Sequence, residues 1–263
     1  MKTNWATTLV RILGIALIAL SSAGSAQAAA QGYMSASDEP FGDYSNFAAM
    51  SAAFGNWDHL QYGASFSSYS MLYIDGGSDT APQMVDYLNA NRGLLESYVL
   101  GGGRLFINAA TEYQTSFNLV FGATSNEQPI DNRGYSASAV DPTGTLFDGA
   151  GTSWNGFFFS HNDIAAPDSF SSLIVDDGGR TVLSGGFFGD GYVMLGGQTN
   201  TVFHEGIDGS DPFQLRVNEL LYTSTAQGPV PPVPEPSTYL LMVLGLAGMA
   251  VVLRKRQGSS LTR

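Results

Sequence analysis

Met71-Leu72-Tyr73-Ile74-Asp75-Gly76-Gly77 decides the fold. The apolar run from Met71 to Ile74 is too short for a helix and is cut by Asp-Gly-Gly, so it reads as a buried strand ending in a turn. Pro82, after Thr80 and Ala81, suits the first position of a helix, where its missing N–H costs nothing. Met84, Val85 and Leu88 then share one face. Leu94, Leu95, Tyr98 and Val99 mark a second helical segment, closed by Gly101-Gly102-Gly103. Arg104-Leu105-Phe106-Ile107-Asn108 is the next buried strand. Strand, turn, helix, glycine cap and strand make a βαβ unit, which requires a parallel pair and a right-handed crossover.

Outward from this unit, Tyr44, Phe47, Met50 and Phe54 recur at near-helical spacing within Asp43 to Phe54. Phe157-Phe158-Phe159, Ser172-Leu173-Ile174-Val175, Thr181-Val182-Leu183 and Tyr192-Val193-Met194-Leu195 read as short strands between Gly/Asp turns. Gly185-Gly186-Phe187-Phe188-Gly189-Asp190-Gly191 reads as a hairpin turn. Pro212 opens a last helix carrying Phe213, Leu215, Val217, Leu220 and Leu221.

This order resembles the flavodoxin-like α/β domain of class I glutamine amidotransferase-like proteins. The resemblance rests on Leu72 to Gly77, on Leu95 to Asn108 with its Tyr-Val-x-Gly-Gly-Gly-Arg-Leu-Phe-Ile, on Gly191 to Gly197 and on Leu215 to Tyr222. It implies a three-layer sandwich with a mainly parallel sheet over residues 29–226. It also implies a Cys nucleophile on a strand-to-helix elbow with a His partner. The equivalent elbow falls around Asn108-Ala109-Ala110, and the chain has no Cys. Amidotransferase chemistry is thereby excluded. Thr111 is the nearest hydroxyl, with no adjacent base evident. No Gly-x-Ser-x-Gly elbow occurs either.

Both ends read as processing segments. Lys2 and Arg11 flank the apolar run Ile12 to Leu20, and Ala26-Gln27-Ala28 follows as a cleavage site, so residues 1–28 are expected to be a secretory signal peptide. Residues 227–237 are too rich in proline for helix or sheet interior and form a stiff linker. Tyr239 to Leu253 is apolar throughout and is followed by Arg254-Lys255-Arg256, a basic stop that places the end of the chain in the cytoplasm. Val233-Pro234-Glu235-Pro236-Ser237-Thr238, the apolar helix and the basic cluster, within residues 238–256 and the linker before them, resemble the PEP-CTERM sorting signal. The resemblance implies an exosortase as partner, acting near Pro234, Glu235 and Pro236. It also implies a membrane-held intermediate through the C-terminal transmembrane helix, and a final place on the cell surface or in the exopolysaccharide or biofilm matrix of a Gram-negative bacterium.

Charge narrows the partners. Residues 29–226 keep five of the 11 basic residues, all arginine, and all but one of the 23 acids. Such a surface repels nucleic acid and attracts divalent cations or polycationic material. No cofactor is demanded by any motif. Calcium would suit the hard oxygens of Asp75-Gly76-Gly77-Ser78-Asp79, Asp176-Asp177-Gly178-Gly179 and Asp208-Gly209-Ser210-Asp211, and the same residues equally make plain turns. His161, Asp163, His204 and Glu205 could assemble a metal or general-base site, although neither His-Glu-x-x-His nor His-x-His occurs. Three functions follow: a non-catalytic surface or matrix protein whose exposed Trp57, Trp154 and tyrosines would stack on sugar; an atypical hydrolase using those four polar residues; and a calcium-dependent adhesion module.

Overall fold

The structure, a computed structural model, describes residues 30–36, 45–77, 80–111, 116–128, 136–155, 159–199 and 211–227. The proposed signal peptide, the linker, the Pro-Glu-Pro motif and the apolar tail lie outside these residues. All described elements fall in the compact unit that ends at Ala226.

The decisive strand is β3 (Met71–Asp75), buried along its whole length. It is preceded by β1 (Gln31–Ser35), α1 (Ser45–Phe54) and β2 (Asp58–Gln61). It is followed by α2 (Ala81–Leu100) and β4 (Arg104–Asn108). The two helical segments expected around Pro82 and Leu94 are one continuous helix. Gly93 lies inside it on the solvent side, with nothing within 4 Å of the place a Cβ would take. The glycine therefore weakens the helix without breaking it. Gly101 caps it, its N–H bonded to the Ser97 carbonyl, and Gly102 takes the left-handed conformation (φ 99°).

The remaining strands are β5 (Ser116–Asn118), β6 (Thr124–Glu127), β7 (Ser136–Ala139), β8 (Ser153–Asn155), β9 (Asn162–Ala165), β10 (Ser171–Asp176), β11 (Thr181–Phe188) and β12 (Gly191–Gly196). Nine strands form one sheet in the order β2-β1-β3-β4-β12-β11-β10-β7-β8, and β5-β6-β9 form a second. The large sheet is parallel only from β2 to β12; every pair beyond β12 is antiparallel. This corrects the expectation of a mainly parallel sheet. β10, β11 and β12 are joined by tight turns, too short for the crossover that a parallel pair needs.

Two other expectations change. The glycine-rich segment Gly185 to Gly191 is mostly strand, and only Gly189-Asp190 turns. Gly185 and Gly186 are there for space: a Cβ on Gly185 would collide with the Tyr192 hydroxyl, and one on Gly186 would press on Phe170. Phe159 is a buried core residue in a bend rather than in a strand.

The core has two parts, one on each face of the large sheet. On one side α2 brings Met84, Leu88, Leu95 and Val99 onto Leu72, Ile74, Leu105 and Ile107, beside residues of the small sheet. On the other side α1 (Ala49, Met50) and α3 (Pro212–Thr225; Leu215, Val217, Leu220) cover Tyr33, Tyr73, Phe106 and Met194. Asp211 caps α3, its carboxylate accepting from the Gln214 N–H at 2.9 Å, with Pro212 following as expected.

Candidate functional site

In an open α/β sheet, ligands bind outside the carboxyl ends of the parallel strands, where the strand order reverses. Here α1 links β1 outward to β2 while α2 links β3 outward to β4, so the reversal lies between β1 and β3. Ser35 ends the first of these strands and Asp75 the second.

Four rings cross the sheet below this point. His59, Tyr33, Tyr73 and Phe106 occupy paired positions on β2, β1, β3 and β4. Their centroids are 5.6, 5.0 and 4.9 Å apart, with interplanar angles of 19°, 28° and 23°. This is close to the strand spacing itself. The Arg216 guanidinium from α3 lies 5.5 Å from the Tyr73 ring centre and 4.9 Å from that of Phe106. It also forms a buried 3.0 Å ion pair with Glu219, one turn along the helix.

Asp75 ends β3 beside this reversal and is almost fully buried. Oδ2 accepts from Tyr73 Oη at 2.7 Å and from Asn46 Nδ2 at 2.8 Å. Oδ1 accepts from Asn108 Nδ2 at 3.3 Å. The Asp75 carbonyl accepts from Tyr62 Oη at 2.9 Å. Burial raises the pKa of Asp75, and Arg216 and the three donors only partly oppose it. The Arg216 pKa is raised as well, which here favours the charged form. Burial works against its charge, but Tyr73, Glu219 and Asp75 outweigh it and hold the guanidinium protonated. Burial also pushes the Tyr73 and Tyr62 hydroxyls upward, so both act as neutral donors. Ser35 Oγ lies 2.9 Å from His59 Nε2, and burial lowers that imidazole below its usual range.

Asn108 works as a piece of false backbone. Its amide donates to the Gln198 carbonyl at 3.0 Å and accepts from the Gln198 N–H at 3.2 Å, joining the ends of β4 and β12. Beyond it, Ala109 and Ala110 are fully buried. Thr111 is tied to Asn162, with Oγ1 accepting from Nδ2 at 3.0 Å. The next described element is strand β5, and the Thr111 hydroxyl beside the expected elbow is occupied. Opposite, Ser160 faces Gln198 across an isolated bridge. The Ser160 hydroxyl and both ends of the Gln198 amide are buried without partners, each at a cost of ~1–3 kcal/mol.

The other expected residues are scattered in role. His161 is buried, its N–H bonded to the Gly197 carbonyl and its carbonyl to the Gln128 N–H. Asp163 Oδ1 accepts from Asn126 Nδ2 at 2.9 Å. Asp79, His204 and Glu205 lie outside the described residues, as do Pro234, Glu235, Pro236, Arg254, Lys255 and Arg256. Asp176 closes the β10–β11 turn, accepting from the Gly178 and Arg180 N–H groups and pairing with Arg180 Nε at 2.7 Å. Asp211 is spent on capping α3. Among the described residues, no three His, Asp or Glu gather as a metal would require. Trp154 is core, with its indole N–H on the Ala150 carbonyl. Trp57 is half-buried and borders a cleft of about 770 Å³ with Phe54, Asn56 and Asp58.

The fold has solved counterparts. A GMP synthase component from Thermoplasma acidophilum is similar over 73% of this chain and 94% of its own, at 12% identity and TM-score 0.52. A glutamine amidotransferase from Thermotoga maritima is similar over 76% and 91%, at 12% identity and TM-score 0.47. A β-galactosidase from Rahnella sp. R3 is similar over 83% of this chain but 34% of its own, at 16% identity and TM-score 0.45. The first of these likenesses supports a mixed α/β fold. No curated protein matches the chain. The tail is more specific: residues 232–257 match the PEP-CTERM protein-sorting motif, which marks the chain for export and exosortase-dependent sorting to the surface. No helix among the described residues is long and apolar enough to cross a membrane.

Proposed function

We propose that the protein is a non-catalytic component of the cell surface or extracellular matrix, associated with exopolysaccharide, whose flavodoxin-like domain over residues 29–226 is delivered by its tail. In this reading residues 1–28 direct export. The apolar segment of residues 238–256 then spans the inner membrane, with Arg254, Lys255 and Arg256 in the cytoplasm, until an exosortase acts near Pro234-Glu235-Pro236. The single observation that carries the non-catalytic reading is the state of the strand ends. Asp75 spends both carboxylate oxygens on donors of its own chain, and Thr111 is held by Asn162. Three of the roughly four acceptor sites of the Asp75 carboxylate are thus engaged within the protein's own network rather than directed at a substrate. The cleft beside Trp57 supports the polysaccharide part, because an aromatic face flanked by amide and carboxylate side chains suits a sugar ring with its hydroxyls.

The test is fractionation and intact mass of the native protein in cells with and without an exosortase, followed by retention of the released protein on the cells' own exopolysaccharide. The tail should be lost only when the enzyme is present, and Trp57→Ala should reduce retention while leaving the melting temperature within a few degrees. A tail kept in both strains would end the sorting scheme. Failure to bind any exopolysaccharide would end the matrix assignment.

A further inference from the structure

The face of α2 that turns from the sheet is not closed by solvent alone. The segment between β2 and β3 folds back over it and leaves two chambers open to solvent, of about 530 and 590 Å³, the second of them shallow, which share Gly63, Tyr87 and Asn91 as lining. Both volumes fall within the range of small-molecule sites. The chambers differ in chemistry. The first is walled by Phe66, Tyr98 and Leu94. Phe66 and Tyr98 meet edge to face at 5.5 Å, and Leu94 is 61% exposed at the rim. The second is lined by Tyr62, Gln83 and Asp86. Residues 83 to 98 of α2 run past both, roughly 22 Å of helix.

Tyr87 stands where the chambers join. Its ring stacks on Tyr62 at 5.0 Å, and its hydroxyl is buried with no hydrogen-bond partner. Burial pushes that hydroxyl up to about 12, so it stays protonated and can donate. A buried, unused donor is a cost to the empty protein that a ligand acceptor would remove. Neither Lys nor Arg is among the lining residues, and Asp86 contributes a carboxylate. A ligand anion would therefore meet repulsion and no counter-charge.

We propose that this double chamber is a binding site for a small amphipathic molecule that is neutral or amine-bearing. An apolar ring or short acyl segment lies against Phe66, Leu94 and Tyr98, and the polar head points toward Gln83, Asp86 and Asn91 and takes the Tyr87 hydrogen bond. The second chamber borders the strand ends at Asp75, whose carbonyl the Tyr62 hydroxyl holds, while the site shares no residue with the cleft at Trp57 and requires no chemistry of the protein.

The test uses the full chain in lipid nanodiscs, with empty discs as the blank, and two naphthalene probes. 6-Propionyl-2-dimethylaminonaphthalene is neutral and carries a ketone acceptor for the Tyr87 hydroxyl, and 8-anilinonaphthalene-1-sulfonate is anionic. The neutral probe should bind saturably and slow hydrogen exchange in residues 62–70 and along α2, while the anionic probe should do neither. Tyr87→Phe should raise the dissociation constant of the neutral probe several-fold without lowering the melting temperature, since it removes a hydroxyl that bonds to nothing. Ser97→Trp, at an exposed position of the rim, should abolish binding. Absence of exchange slowing up to the probe's solubility, equal binding of the two probes, or wild-type affinity in both variants would overturn the proposal.

Discussion

Tyr73 and Asp75, two residues apart on β3 and so on one face of the sheet, are joined by a 2.7 Å hydrogen bond from the phenol to the carboxylate. A buried carboxylate depends on such donors, because no water replaces them. Tyr73→Phe should therefore destabilise the protein by ~1–3 kcal/mol, more than the loss of an exposed hydroxyl. An unchanged urea midpoint would show that Asn46 and Asn108 satisfy Asp75 alone.

The same carboxylate gives a pH signature. Its folded pKa lies above the ordinary value of 3.8, so the folded state holds the proton more tightly than the unfolded chain. The contribution to stability is full below 3.8 and is lost as pH rises through the folded pKa. Asp75→Asn cannot titrate. The stability of the native protein minus that of the variant should fall as pH rises from 3.8 through the folded pKa. A difference that stays flat with pH would refute this assignment.

Arg216 and Glu219 form a buried pair near a second buried acid. Arg216→Met leaves Glu219 and Asp75 without their cation and should cost ~3–5 kcal/mol. The double change Arg216→Met with Glu219→Met should recover part of that loss, since it removes one of the two stranded charges. Thermal unfolding of both variants decides it: equal losses in single and double variants would mean that the helix fold, not the charge, is at stake.

Gly93 offers a gain. It lies within α2, and a Cβ there would touch nothing. Gly93→Ala should raise stability by ~0.5–1 kcal/mol through helix propensity. A lower melting temperature would place this residue under a constraint other than propensity.

The strand-helix-strand unit around Met71 to Asn108 was legible because its strands are continuous apolar runs and its helix ends at three glycines. β1 and β2 were not. Gln31-Gly32-Tyr33 and Asp58-His59-Leu60-Gln61 carry no apolar run, and β2 lies at the edge of the sheet with its side chains largely in solvent. Without β1 the reversal of strand order stays hidden, and with it the meaning of Asp75. The sequence also presents Asp75 as one of several acidic turns. Only the fold brings Asn46, Asn108 and Arg216 to it from three other elements, beside Tyr73 of its own strand. Arg216 carried one local sign, a cation between Leu215 and Val217 on an apolar helix face with Glu219 three residues on. Tyr87 carried none, since an unused hydroxyl is a property of its neighbours.

The stack of His59, Tyr33, Tyr73 and Phe106 bears on how the parallel strands find their alignment. A hairpin sets the register of its two strands by its turn, but β1, β2, β3 and β4 are joined by long crossovers that allow several offsets. One ring per strand at matching positions removes that freedom. A slip of one residue in any of these four strands would carry its ring to the opposite face and break the stack at that strand, so the aromatic row works as a ruler laid across the half of the sheet that has no turns to measure it.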